Sequence, residues 1–138
     1  MNRVLMDTGP LVAMISEEDR YHDICAEAMR AIPGAMFSCW PVITEAAWLA
    51  ARTRNGVRQL LRSLSNGVVE LLPLGRSDVR EIAQIGEKYA DLRPDLADLA
   101  LVYLAGRDEI DTVFTFDRRD FSIYRVRGRA LRIIPDLR

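Results

Sequence analysis

Short apolar runs alternate with helical stretches from one end of this chain to the other, and that order constrains its fold more than any other feature. Arg3-Val4-Leu5-Met6 is halted by Asp7-Thr8-Gly9-Pro10, so it reads as a buried strand that delivers Asp7 at its carboxyl end. Residues 11–15 follow as a short helix, with Pro10 suited to its first turn. Residues 17–31 carry Tyr21, Ile24, Cys25, Ala28 and Met29 at helical spacing, Ile32 continues the series, and Pro33-Gly34 stops it. A second strand covers 35–38. Pro41 opens a helix through roughly residue 54, and 57–65 continues helically until Asn66-Gly67 turns the chain. Residues 68–72 form a third strand. Ser77 is the expected cap of a long helix to Tyr89, whose first turn holds Asp78 and Glu81. Pro94 or Asp95 starts another helix to about Arg107, and strands follow at 112–115 and 131–134. This order implies an α/β sandwich around a mainly parallel central sheet of about five short strands, in a single domain spanning 1–138.

Parallel sheets of this kind bind ligands beyond the carboxyl ends of their strands. Acidic residues gather at such positions here. Asp7 and Asp117 follow strands, Glu45 lies on the otherwise apolar helix ITEAAW, and Asp95 and Asp98 open the helix PDLADLALV. Asp98 is three residues after Asp95, on nearly the same helix face, and its neighbours Leu96, Ala97, Leu99 and Ala100 are apolar. A carboxylate on a buried face needs a partner, which is the reading given to Glu45. Each acid also has an ordinary explanation as a turn residue, helix cap or surface carboxylate, and Asp95 in particular reads equally well as a cap. Gathered in one pocket they repel one another, and a compensating cation is required to keep them ionised. Hard oxygen ligands favour Mg²⁺ or Mn²⁺, so the pattern points to a metal-dependent phosphoryl-transfer site.

Other chemistries fail on specifics. Asp-Thr-Gly also marks aspartic proteases, but those are almost entirely β. Ser38 or Ser65 with His22 lacks the spacing of a nucleophile and its base. His22, the one histidine, reads as a surface or capping residue at a polar helix start. The haloacid dehalogenase pattern needs an Asp where Gly9 stands. The net charge of −1 argues against a strongly basic, non-specific nucleic-acid binder. Lys88 is the sole lysine, and Arg supplies all the other basic side chains. Cys25 and Cys39 read as buried free thiols. No apolar run approaches the ~18 residues of a membrane span, and no leader pattern is present, so a soluble, cytoplasmic protein without membrane association is expected.

Four segments, MDTGPLVAMI, ITEAAWLA, YADLRPDLADLALVYLA and TFDRRDFSIYR, resemble in order and over nearly the full length the PIN-domain ribonucleases, and within them the VapC-type toxins of bacterial toxin–antitoxin pairs. The resemblance implies a three-layer α/β/α sandwich and an Mg²⁺- or Mn²⁺-dependent endoribonuclease. Asp7, Glu45, Asp98 and Asp117 match the family's acidic quartet. Asp95 sits where many members carry an acid, and Thr8 and Thr115 match hydroxyl positions beside the site. A metal held by Asp7 and Asp98, with Glu45 and Asp117 as further ligands, would promote in-line attack of water on an RNA phosphodiester. Arg118 and Arg119 are candidates for holding RNA phosphates. The implied partners are RNA, an antitoxin protein and a second copy of the chain. The homodimer is also expected from the large apolar residues Trp40, Trp48, Leu49, Leu60, Leu61 and Leu64. The alternatives are a housekeeping RNA-processing nuclease of the same fold and a non-catalytic RNA- or protein-binding module.

Overall fold

The computed structural model describes residues 2–32 and 34–136. In chain order the elements are β1 (Arg3–Met6), α1 (Thr8–Ile15), α2 (His22–Arg30), β2 (Ala35–Ser38), α3 (Trp40–Ala50), α4 (Gly56–Ser65) and β3 (Val69–Leu71). There follow α5 (Val79–Lys88), α6 (Leu96–Arg107), β4 (Thr112–Phe114), α7 (Arg118–Phe121), β5 (Arg125–Val126), β6 (Arg129–Ala130) and β7 (Arg132–Ile134). Five strands form one sheet in the order β3-β2-β1-β4-β7, and every neighbouring pair is parallel. Helices flank this sheet in the expected α/β/α layering. Its strands read as nearly unbroken apolar runs because both faces are covered. Val4, Leu5, Met6, Val113 and Phe114 are all buried.

The strand order places the functional end of the sheet. From β1 the chain builds outward through β2 to β3, then returns to lay β4 on the other side of β1. A crevice forms at the carboxyl ends of two strands where the order reverses in this way. Asp7 leaves β1 at that point, and Thr115 and Asp117 leave β4. The Asp7 N–H donates to the Phe114 carbonyl at 2.9 Å, fastening the two strand ends together. α6 enters the same crevice by its N-terminus. It is buried on nearly all sides, from Ala97 and Asp98 through Ala105, as its almost uniformly apolar sequence requires.

Several boundaries differ from the sequence expectation. The helix expected over 17–31 begins only at His22, because the Asp19 carboxylate accepts from the Tyr21 N–H at 2.8 Å and holds the preceding residues in turns. Pro33 of the expected Pro33-Gly34 stop lies outside the described residues. α3 ends at Ala50, since Asn55 adopts a left-handed φ of 59° and the chain folds back so closely that a Cβ on Gly56 would stand 2.1 Å from the Ala50 carbonyl oxygen. Ser77 does not cap α5. The helix starts through a 3₁₀ turn, Arg76–Asp78, and the Asp78 carboxylate reaches back to the Gly75 N–H at 2.7 Å. The short α7 and the β5–β6 hairpin were not expected. The hairpin turns at Arg127-Gly128, both with positive φ.

Cys25 and Cys39 are free and fully buried, and burial pushes each thiol up to about 11. Among the described residues no helix is long and apolar enough to cross a membrane. The apolar surface invoked for a homodimer is smaller than the sequence suggests. Leu60 is wholly buried and Leu64 packs against the core, which leaves Trp40, Trp48 and Leu61 exposed.

Candidate active site

Local hydrogen bonds and helix caps set the acids in place. Asp7 terminates β1 and precedes α1, and it is buried. Its Oδ2 accepts a hydrogen bond from Thr115 Oγ1 at 2.7 Å. The same Thr115 hydroxyl accepts from the Asp117 N–H at 2.9 Å, so one fully buried threonine fixes both the Asp7 carboxylate and the backbone of Asp117. Thr8 donates from Oγ1 to Glu45 Oε2 at 3.1 Å and thereby ties α3 to the start of α1. Asp95 is the N-cap of α6, accepting from the Asp98 N–H at 2.8 Å. Asp117 caps α7 in the same fashion, accepting from the Asp120 N–H at 3.3 Å.

Glu45 requires a correction. The sequence reading put it on a buried face, but α3 buries Val42, Ile43, Ala46 and Ala50, and Glu45 lies on the exposed side. Its partner is the Thr8 hydroxyl, not a core group. Glu45 is nevertheless close enough for its charge to act on Asp7.

The electrostatics show how tightly the acids are gathered. Burial, above all, raises Asp98 from 3.8 to about 8, and the charges of Asp95, Asp7, Asp117 and Asp120 push in the same direction. Asp7 rises from 3.8 to about 6, again chiefly through burial. Its hydrogen bonds from Thr115 and the Thr8 backbone oppose that rise, and the charges of Asp95 and Glu45 add to it. Carboxylate oxygens of Asp98, Asp117 and Asp120 all lie within 4.8 Å of one another. The ion pairs among the described residues are Arg107–Asp78, Arg107–Asp108 and Arg127–Glu109, and none of them reaches this cluster. A buried carboxylate facing four others without a cationic side chain is the arrangement a divalent cation fits, and the all-oxygen donor set is that of a hard metal.

Asp120 was missed in the sequence. Its signal was present: it follows Asp117 by three residues, the same spacing that puts Asp98 after Asp95. Tyr124 was also missed. It is fully buried beside the cluster, with its hydroxyl 3.4 Å from Asp98 Oδ2, and its ring stands edge-on to Tyr89 and Phe121. His22, read as a surface or capping residue, opens α2 half-buried, and its Nδ1 lies 2.6 Å from the Ala13 carbonyl, so it joins α2 to α1. Both phosphate candidates are exposed, and Arg118 donates to the Pro135 carbonyl at 2.7 Å. Further along, Arg125 donates to the carbonyls of Ser122, Ile123 and Tyr124.

Comparison with known proteins identifies the family and the fold. The PIN domain family model matches residues 4–128. Ribonuclease VapC26 of Mycobacterium tuberculosis is 34% identical over 136 residues, covering 96% of this chain and 100% of the relative. The crystal structure of VapC20 from the same organism, described as a sarcin–ricin loop cleaving toxin, superposes with a TM-score of 0.73 at 15% identity, over 84% of this chain and 91% of that one. That likeness establishes the shared fold. An acid-lined crevice at the reversal point of an all-parallel sheet, the family match across most of the chain and the full-length relative together place this protein in the PIN-domain family, on its VapC branch.

Proposed function

We propose that this chain is a divalent-metal-dependent endoribonuclease, the toxin of a toxin–antitoxin pair, and that residues 1–138 act as one nuclease domain in the cytoplasm. The observation that carries this reading is Asp98: a buried carboxylate raised to about 8, with Asp117 and Asp120 oxygens within 4.8 Å and no cationic side chain paired to it among the described residues. The full-length relative is itself a ribonuclease by name.

Asp98, Asp117 and Asp120 would hold the cation, with Asp7 beside them, and Mg²⁺ or Mn²⁺ suits their hard oxygens. The ion supplies charge neutralisation and Lewis acidity where a phosphodiester enters an otherwise repulsive pocket. The remaining work falls to the chain. Thr115 holds one oxygen of Asp7, so the other is oriented to take a proton from an attacking water. Burial raises Asp7 to about 6 in the metal-free chain, and a cation beside it would favour the ionised form, which is the one that accepts a proton. Thr8 holds Glu45 at the rim, and Asp95 sets the first turn of α6 so that Asp98 points into the crevice. The four acids expected from the sequence, Asp7, Glu45, Asp98 and Asp117, stay in this proposal, Glu45 at the rim, joined by Asp120 as a holder of the cation and supported by Thr8, Asp95 and Thr115.

An antitoxin and a homodimer belong to the same proposal. The cheap observation bearing on the antitoxin is whether a small reading frame for a DNA-binding protein lies immediately upstream. Light scattering at micromolar concentration decides the assembly. The central test is sequencing of RNA ends after brief induction, comparing wild type with Asp7→Asn. New ends with wild type and none with the variant support the reading, while identical ends in both overturn it.

A further inference from the structure

The wall of the crevice formed by α3 continues into a surface that the acidic centre does not use. Trp48 follows Glu45 by three residues, so the two side chains are neighbours on the exposed side of α3. Trp48 is 69% exposed and Trp40, two turns earlier, is 56% exposed. Tryptophan is ordinarily well covered in a folded protein, so two open indoles on one helix call for an occupant. The Arg52 guanidinium stands over the Trp48 ring, 5.6 Å from its centre.

Charge identifies the occupant. Between Glu45 and Glu70 the sequence has no acidic residue, whereas Arg52, Arg54, Arg58 and Arg62 fall within eleven consecutive positions. All four are exposed, and none forms an ion pair among the described residues. In a protein of net charge −1 this is a local excess of positive charge along the sequence, and its Arg52 stands over the Trp48 indole. A second copy of the chain is the competing occupant of this face, and the mass measurement below distinguishes it. A polyanion whose units have flat apolar faces fits it well.

We propose that Trp48, with Arg52 stacked over it, forms a base-stacking subsite for an unpaired nucleotide of single-stranded RNA, adjoining the acidic crevice. This inference rests on the ribonuclease reading above. The indole offers a π-face that every base can use, and the guanidinium closes the other side or reaches the adjoining phosphate. Glu45 is tied to Thr8, next to Asp7, so a strand leaving the acids over α3 meets Glu45 and then Trp48. The subsite anchors the substrate without contacting the reacting atoms, so it acts on binding and not on the chemical step.

Trp40 and Trp48 are the two tryptophans of the whole sequence, and that makes the test direct. In the full chain carrying Asp98→Asn to prevent cleavage and Trp40→Phe to leave one indole, a short single-stranded RNA of random sequence should quench Trp48 fluorescence saturably. Inorganic polyphosphate, with charge but no bases, should not. In the cleavage-competent chain, Trp48→Ala should raise KM about tenfold with kcat unchanged, Trp48→Phe should largely restore it, and Arg52→Gln should weaken binding most at low salt. Unquenched fluorescence on addition of RNA, or an unchanged KM in Trp48→Ala, overturns the subsite. So does a fall in mass by light scattering in Trp48→Ala with KM unaltered, which would assign the face to self-association. If Trp48→Ala fails to fold, the quenching experiment and Trp48→Phe decide. A wild-type chain that cleaves no RNA would count against the ribonuclease reading, which the quenching measurement does not depend on.

Discussion

Thr115 and Asp7, 108 residues apart in sequence, meet in a 2.7 Å hydrogen bond that joins the ends of the two central strands. Thr115 is fully buried and also receives the Asp117 N–H, so a single hydroxyl sets two of the proposed catalytic positions.

Replacing it with valine, which keeps the shape and removes the hydroxyl, should lower kcat by about 10–100-fold, as loss of a group that orients a metal-site carboxylate does. The unpaired Asp117 N–H and Asp7 oxygen should also lower stability by about 1–3 kcal/mol. Thr115→Ser should retain most of both. Steady-state kinetics and denaturant melts of the two variants check this, and a valine variant with normal kcat would remove Thr115 from the site.

Much of this arrangement was legible in the sequence because strand ends announce themselves: an apolar run stopped by Asp-Thr-Gly-Pro or by Thr-Phe-Asp leaves little choice about where the carboxylate emerges. The α/β order and the helix-opening acids were legible for the same local reason. Tertiary placement was not. Glu45 lies between Thr44 and Ala46 in an otherwise apolar segment, and nothing in that segment tells that Val42, Ala46 and Ala50 face inward while it faces Thr8. Asp120 needed the unexpected α7 to bring it round to Asp98, and Leu60 looked like surface until α4 folded back on α3.

Asp98 should make the metal-free protein less stable as pH rises. In the folded chain it keeps its proton up to about pH 8, whereas in the unfolded chain it releases it near 3.8. Between those values the folded state binds more protons, so stability is fully present below pH 3.8 and is lost as pH climbs through 8. Asp7 contributes in the same direction over the narrower span from 3.8 to about 6. Asp98→Asn removes the larger part and should be more stable than wild type at pH 8 in EDTA by about 1–2 kcal/mol, allowing for solvent screening, with the two converging at acidic pH. Denaturant midpoints at both pH values give the answer. A variant that melts well below wild type at pH 8 would make Asp98 a structural group.

Cation binding should reverse that penalty. Mn²⁺ or Mg²⁺ at about a hundred times its dissociation constant should add ~2.7 kcal/mol to the folded state, a rise of about 5–10 °C in Tm for a chain of this size. Sodium chloride at equal ionic strength should do far less. Asp120→Asn should weaken the metal's calorimetric affinity by about tenfold or more while leaving the metal-free melting temperature unchanged or higher. If Asp120→Asn binds metal as wild type does, Asp120 is only a surface acid of α7 and the proximity of its carboxylate to Asp98 is incidental.

An antitoxin should inhibit by placing a cation in the same crevice. The acids have no positively charged partner among the described residues, so an Arg or Lys from an antitoxin's C-terminal segment would be drawn beside Asp98, Asp117 and Asp7, shielded from solvent, and would compete with the metal for their oxygens. At fixed antitoxin, rising Mn²⁺ should therefore restore RNA cleavage and weaken antitoxin binding measured by calorimetry, and Asp98→Asn should weaken that binding without metal present. Replacing the segment's basic residues with alanine should abolish inhibition. Inhibition that survives those replacements and ignores the metal would make the block steric. Its target would then be the exposed indoles of α3, where it would compete with RNA for Trp48 and leave the carboxylates free.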